Sequence, residues 1–189
     1  MSSYRKVNVI HVRGVGLEGA VGFVRQAYGS AAHEAVLARL PPEEAVSFVD
    51  VRSAAWKPLR SLSAYIEAAR MLYGADDPGF FQRLGFFIGQ YTRRDGGFHP
   101  MLVTPEVAMR MAPVVWKAVY DAGRMEFEIE GREGGVARVY DFPARPTLCT
   151  VNAAIIEGLA SGDDRRARVV ETRCRSRGQE FCEFDVTWP

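Results

Sequence analysis

Met125-Glu126-Phe127-Glu128-Ile129-Glu130 alternates apolar and acidic side chains without a break. Period two sets the three apolar residues on one face and the three carboxylates on the other, which is a strand with one wet face. Gly131-Arg132-Glu133-Gly134-Gly135 turns the chain back into Val136 to Phe142, so the pair reads as a hairpin. Past Pro143 and Pro146 the period becomes helical, with Leu148, Val151, Ile155 and Leu159 on one stripe of Leu148 to Ala160. Gly162-Asp163-Asp164 leads into Arg166 to Cys174. A polar loop spans Arg175 to Glu180, and Phe184, Val186 and Trp188 are in phase on the return from Phe181. The C-terminal part is therefore expected as hairpin, helix, hairpin.

Upstream the pattern is mostly helical. Tyr4 to Arg13 alternates and is expected as a strand, with Gly14-Val15-Gly16 as its turn. Leu17, Ala20, Val21, Val24 and Tyr28 then fall at helical spacing, and Gly29-Ser30 breaks the run. Further helices are expected from Ala31 to Leu40, from Pro42, from the Trp56-Lys57-Pro58-Leu59 segment to Tyr73, and from Gly79 to Thr92. The last upstream helix begins at Thr104, an N-cap before Pro105. A helix-rich first half and a sheet-rich second half give an α+β fold, helices packed on an antiparallel sheet. No boundary divides residues 1–189, so a single domain is expected.

Composition narrows the function. The chain carries 24 Lys and Arg against 23 Asp and Glu, which gives no electrostatic footprint for nucleic acid or an anionic membrane. No apolar run is long enough to insert in a membrane, and the first residues lack a secretory leader, so a cytoplasmic location is expected. Three cysteines are too few and too odd in number for a disulfide framework; metal binding or burial as free thiols remains open for them.

All three lie near the end of the chain. Glu171, Cys174 and Cys182 form an E-x2-C-x7-C string, and Cys149 sits about one helix upstream. Cross-strand pairing sets Cys174 and Cys182 opposite one another. With Cys149 from the helix start they supply most of a tetrahedral site. Glu171 is three residues from Cys174, which along a regular strand places it on the opposite face, so its inclusion requires a bulge or a strand end. His11, His33 and His99 belong to different elements and accompany no nucleophile. His99, after Gly96-Gly97-Phe98, is the best single candidate for an axial haem ligand. Gly14-x-Gly16-x-x-Gly19 matches a dinucleotide fingerprint but lacks its parallel sheet.

The string Glu171-x-x-Cys174-Arg175-x-x-Gly178-x-x-x-Cys182-x-Phe184 resembles the end of the 4-vinyl reductase-like domain, in particular the aromatic-sensing domains of phenol-responsive activators. The preceding helices resemble, more loosely, the domain that those sensors share with haem nitric-oxide-binding domains. The resemblance implies a structural zinc held by Cys149, Glu171, Cys174 and Cys182, in a homodimeric sensory module rather than an enzyme. It further implies a pocket for a small apolar or aromatic ligand, here assigned to Phe80, Phe81, Leu84, Phe87, Tyr91, His99, Trp116 and Phe127. Three alternatives stand beside it: a haem or gas sensor using His99, a reductase of a tetrapyrrole vinyl group, and a protein-interaction module.

Overall fold

A computed structural model describes residues 9–98, 104–162 and 165–188. His99, and residues 4–8 of the N-terminal strand expected from Tyr4 to Arg13, lie outside these residues.

The alternation that opens at Met125 produces β3 (Arg124–Ile129), with Met125 buried and Glu126 and Glu128 exposed. β3 pairs antiparallel with β4 (Gly134–Tyr140), which in turn pairs with β6 (Cys182–Thr187), and β5 (Arg168–Arg173) closes the sheet in the order β3-β4-β6-β5. All three pairings are antiparallel. Strand β6 presents Cys182, Phe184 and Val186 inward, and Trp188 beyond it is also buried. Between the two hairpins runs α7 (Pro146–Ala160), with Pro146 in its first turn. The fold is α+β, built of helices and antiparallel sheet.

The first half supplies α1 (Gly14–Tyr28), α2 (Ser30–Leu37), α3 (Pro42–Ala45), α4 (Leu59–Tyr73), α5 (Phe80–Asp95) and α6 (Pro105–Val119). Two local expectations are corrected. Gly14-Val15-Gly16 begins α1 instead of forming a turn, because a side chain at Gly14 would collide with the Arg52 carbonyl oxygen, and only glycine lets the helix start against that loop. Trp56–Pro58 is β2, paired with β1 (His11–Arg13), and the helix starts only at Leu59. Thr104 caps α6 as expected, accepting from the Val107 N–H at 3.3 Å.

Helices α5 and α7 form the tightest contact. An added Cβ would lie 2.6 Å from Val151 O at Gly85, 2.3 Å from Ile155 O at Gly89, and 2.3 Å from Phe86 O at Gly158. These glycines bring the two backbones together, and Gln90 Nε2 locks the crossing by donating to Gly158 O at 2.6 Å and to Ser161 O at 3.0 Å. Gly19 of the fingerprint-like motif serves the same purpose on the other side of α5, lying against Ile88. Its role is helix packing.

Candidate functional site

The C-terminal string closes into a cluster. Cys149 stands in the first turns of α7, Cys174 directly follows β5, and Cys182 opens β6. A 3-10 turn, Arg175–Arg177, completed by Gly178 in the left-handed region at φ 86°, carries the chain between the last two. Glu171 joins them because the β5–β6 register shifts between Glu171 and Arg173, the irregularity that strand alternation requires. One ligand atom from each of the four residues lies within 4.8 Å of all the others.

The three thiols are buried, with Cys149 Sγ 3.4 Å from Cys174 Sγ and 3.9 Å from Cys182 Sγ. The Arg175 backbone N–H donates to Cys182 Sγ at 3.4 Å. Glu171 Oε2 accepts from Arg177 at 2.6 Å, whereas its Oε1 is buried without a hydrogen-bond partner. A buried carboxylate oxygen left bare beside three thiols is costly unless a cation meets it. Burial, reinforced by the neighbouring thiols, pushes the Cys149 thiol well above its ordinary range, and burial also raises Cys182. Without a cation, burial therefore favours the protonated thiol at Cys149 and Cys182.

A second feature lies in the helical core. An enclosed cavity of about 40 Å³ is bounded by α1, α4, α5, α6, α7 and the start of β3. Its wall is almost wholly apolar, with Met109, Val115, Trp116 and Ile155 among the lining residues. It is interrupted by Thr92 of α5 and Asn152 of α7. Tyr120 also reaches it, its phenol pushed up to about 12 by burial. A larger cleft of about 520 Å³ opens to solvent between α4 and the start of α7, edged by Arg60, Glu67 and Arg145.

Of the residues assigned to a pocket from the sequence, Trp116 lines the enclosed cavity, and its Nε1 donates to Ala122 O at 3.2 Å. Phe80 and Leu84 are fully buried. Phe80 and Phe87 pack edge-on against Phe23, at 5.8 and 5.9 Å between centroids, and Phe81 packs against Phe80. Tyr91 turns to Glu18, and Phe127 faces Trp188. His99 lies outside the described residues. Sequence reasoning passed over Thr92, which sits in the polar end of α5 beside Arg93 and Arg94, and Asn152, a polar residue in the largely apolar run of α7.

No family model and no curated protein matches this sequence. Solved structures do match. An H-NOX protein from S. oneidensis in the Fe(II)NO state aligns with a TM-score of 0.70 at 13% identity, over 94% of this chain and 99% of its own. The unliganded Fe(II) H-NOX protein from K. algicida gives 0.63 at 8% identity, over 94% and 96%. A structure from work on haem redox potential and porphyrin distortion gives 0.63 at 12%, over 93% and 98%. These neighbours overturn the resemblance to the 4-vinyl reductase-like domain. They also overturn zinc as the expected structural cofactor, since the metal in their names is iron, in one case with its porphyrin. At these identities the likeness is one of architecture: the chain has the fold of the H-NOX proteins.

Proposed function

We propose that this chain is a sensory module that takes up a small molecule or gas in the interior of an H-NOX fold. The observation that carries the reading is the enclosed apolar cavity, with two buried polar side chains on its wall, at the meeting point of five helices and the sheet. An apolar wall with a few polar groups is the lining that small-molecule sites share, here at a scale far below that of a drug- or cofactor-sized pocket. The neighbours support the same class, being named for their Fe(II)NO and Fe(II)CO states. Among the described residues no helix is long and apolar enough to cross a membrane. A cytoplasmic homodimer is the form proposed for the module.

The fold implies haem, and the described residues do not fit it. The enclosed cavity, at about 40 Å³, falls far short of the several hundred cubic ångströms of a cofactor site. The open cleft has the volume, but no His, Cys, Met or Tyr lines it to serve as an axial ligand. The two described histidines are engaged elsewhere: His11 Nδ1 with Asp121 at 2.7 Å, and His33 Nδ1 with the Tyr65 hydroxyl at 2.9 Å.

Native mass spectrometry of the purified full chain tests the sensory reading. The expected result is a small non-protein mass released on unfolding, or a melting temperature raised by members of a panel of small neutral molecules and gases. Protein mass alone and an unmoved melting temperature across the panel would overturn it in favour of a protein-interaction module.

A second reading rests on the bare Glu171 Oε1 among three thiols. We propose that Cys149, Glu171, Cys174 and Cys182 close around a thiophilic metal ion that ties the start of α7 to the last hairpin. A metal–thiolate tetrahedron with bonds of about 2.3 Å has edges of about 3.8 Å. The Cys149 sulfur contacts of 3.4 and 3.9 Å bracket that length. Titration with Co(II) is expected to give a thiolate-to-cobalt absorption band at one equivalent; no band, in reduced protein, would overturn the reading.

A further inference from the structure

The two polar residues on the cavity wall define a ligand class. Asn152 is 7% exposed and Thr92 3%, and both stand on the cavity wall. On an otherwise apolar wall, an amide and a hydroxyl are the groups able to hold the polar end of a molecule in the cavity, with the Tyr120 phenol the one other polar side chain among the described residues that reaches it and is not engaged elsewhere. The molecule's size is bounded: one water-sized atom needs about 10–15 Å³ of such space, so a cavity of about 40 Å³ holds roughly three. An engineered cavity that takes benzene is about 150 Å³, which excludes an aromatic ring here. Its charge is bounded as well, since no charged side chain lines the cavity and an ion would enter unpaired.

We infer that the cavity is a haem-independent site for a neutral molecule of about two to four heavy atoms, with one hydrogen-bonding end held by Asn152 and Thr92 and an apolar end against Met109, Val115 and Ile155. This rests on the sensory reading and narrows it. Ala112 lies on the same wall and is the position from which the space can be filled.

The test is a titration of the full-length protein with ethanol, a probe with one hydroxyl and a short apolar end, followed by amide proton–nitrogen NMR. Xenon is the probe without a hydrogen-bonding atom. Ethanol is expected to shift the resonances around Thr92 and Asn152 saturably. Asn152→Leu weakens ethanol about fivefold, the loss of one hydrogen bond, and leaves xenon unchanged. Ala112→Leu removes both responses. Unsaturable ethanol shifts, with only ordered water at Asn152, overturn the inference.

A parallel titration with haem separates the two claims. Absence of a Soret band supports the haem-independent site. A stoichiometric band lost in His99→Ala overturns that site while the sensory reading stands. No ethanol, xenon or haem response, together with protein mass alone in native mass spectrometry, overturns both.

Discussion

Gly158→Ala tests the packing on which both candidate sites depend. The added Cβ would sit 2.3 Å from Phe86 O, 3.0 Å from Gln90 N and 3.0 Å from Gly89 Cα, and ordinary contact begins at 3.4 Å. Relief at the Phe86 carbonyl therefore demands a separation of about 1.1 Å. All three obstacles are backbone atoms of α5, so no side-chain rotation provides it. Overpacking of this kind costs about 1–3 kcal/mol, and a backbone obstacle puts the cost at the upper end. Alanine recovers about 1 kcal/mol of helix propensity over glycine, which leaves a net loss of about 2 kcal/mol. For a chain of this size that corresponds to a melting temperature lower by about 4–8 °C. Gly22→Ala is the control, because its Cβ would meet only the Phe87 ring edge at 3.2 Å, which can rotate away. Calorimetry and urea unfolding measure both. Gly158→Ala melting at or above the parent protein would refute the close α5–α7 crossing.

Glu171→Gln is expected to weaken Co(II) binding by at least about tenfold, measured by competition with a chelator; unchanged affinity would remove Glu171 from the donor set. Stability should also depend on pH through His33. Burial, and next the Arg25 charge, hold its pKa below the ordinary 6.5. The unfolded chain thus binds the proton more readily, and stability, full above about pH 6.5, falls as pH drops through the window between the ordinary value and the depressed folded one. Urea midpoints across that window follow the loss, and His33→Leu is expected to flatten this component of the slope.

The E-x2-C-x7-C spacing made the cysteine cluster legible, because two cysteines flanking a tight hairpin turn must face each other and strand alternation showed what Glu171 would need. The register shift after Glu171 supplies it. The hairpins and α7 were legible for the same reason, a clean change of period. The cavity was not. Aromatic density on α5 drew attention to Phe80, Phe81 and Phe87, yet Phe80 and Phe87 satisfy one another's packing through Phe23, and Phe81 through Phe80 and the Arg70 guanidinium. Space persists instead where smaller and aliphatic side chains of α6 and α7 meet, at Ala112, Val115 and Ile155. That depends on how helices distant in sequence converge, which no local pattern encodes. The local signal was Thr92 and Asn152, polar residues on buried faces. The zinc expectation came from the spacing of Cys149, Glu171, Cys174 and Cys182 together with a resemblance of motif, and a motif covering the last part of the chain does not decide the architecture of the whole.

The central claim, that the core of this fold holds a small-molecule site, is tested most directly by a crystal structure under xenon pressure. The account predicts a xenon atom in the cavity bounded by Met109, Ala112, Val115 and Ile155, with the Asn152 side chain on its wall. Side chains closing that space, with xenon bound only elsewhere, would contradict it.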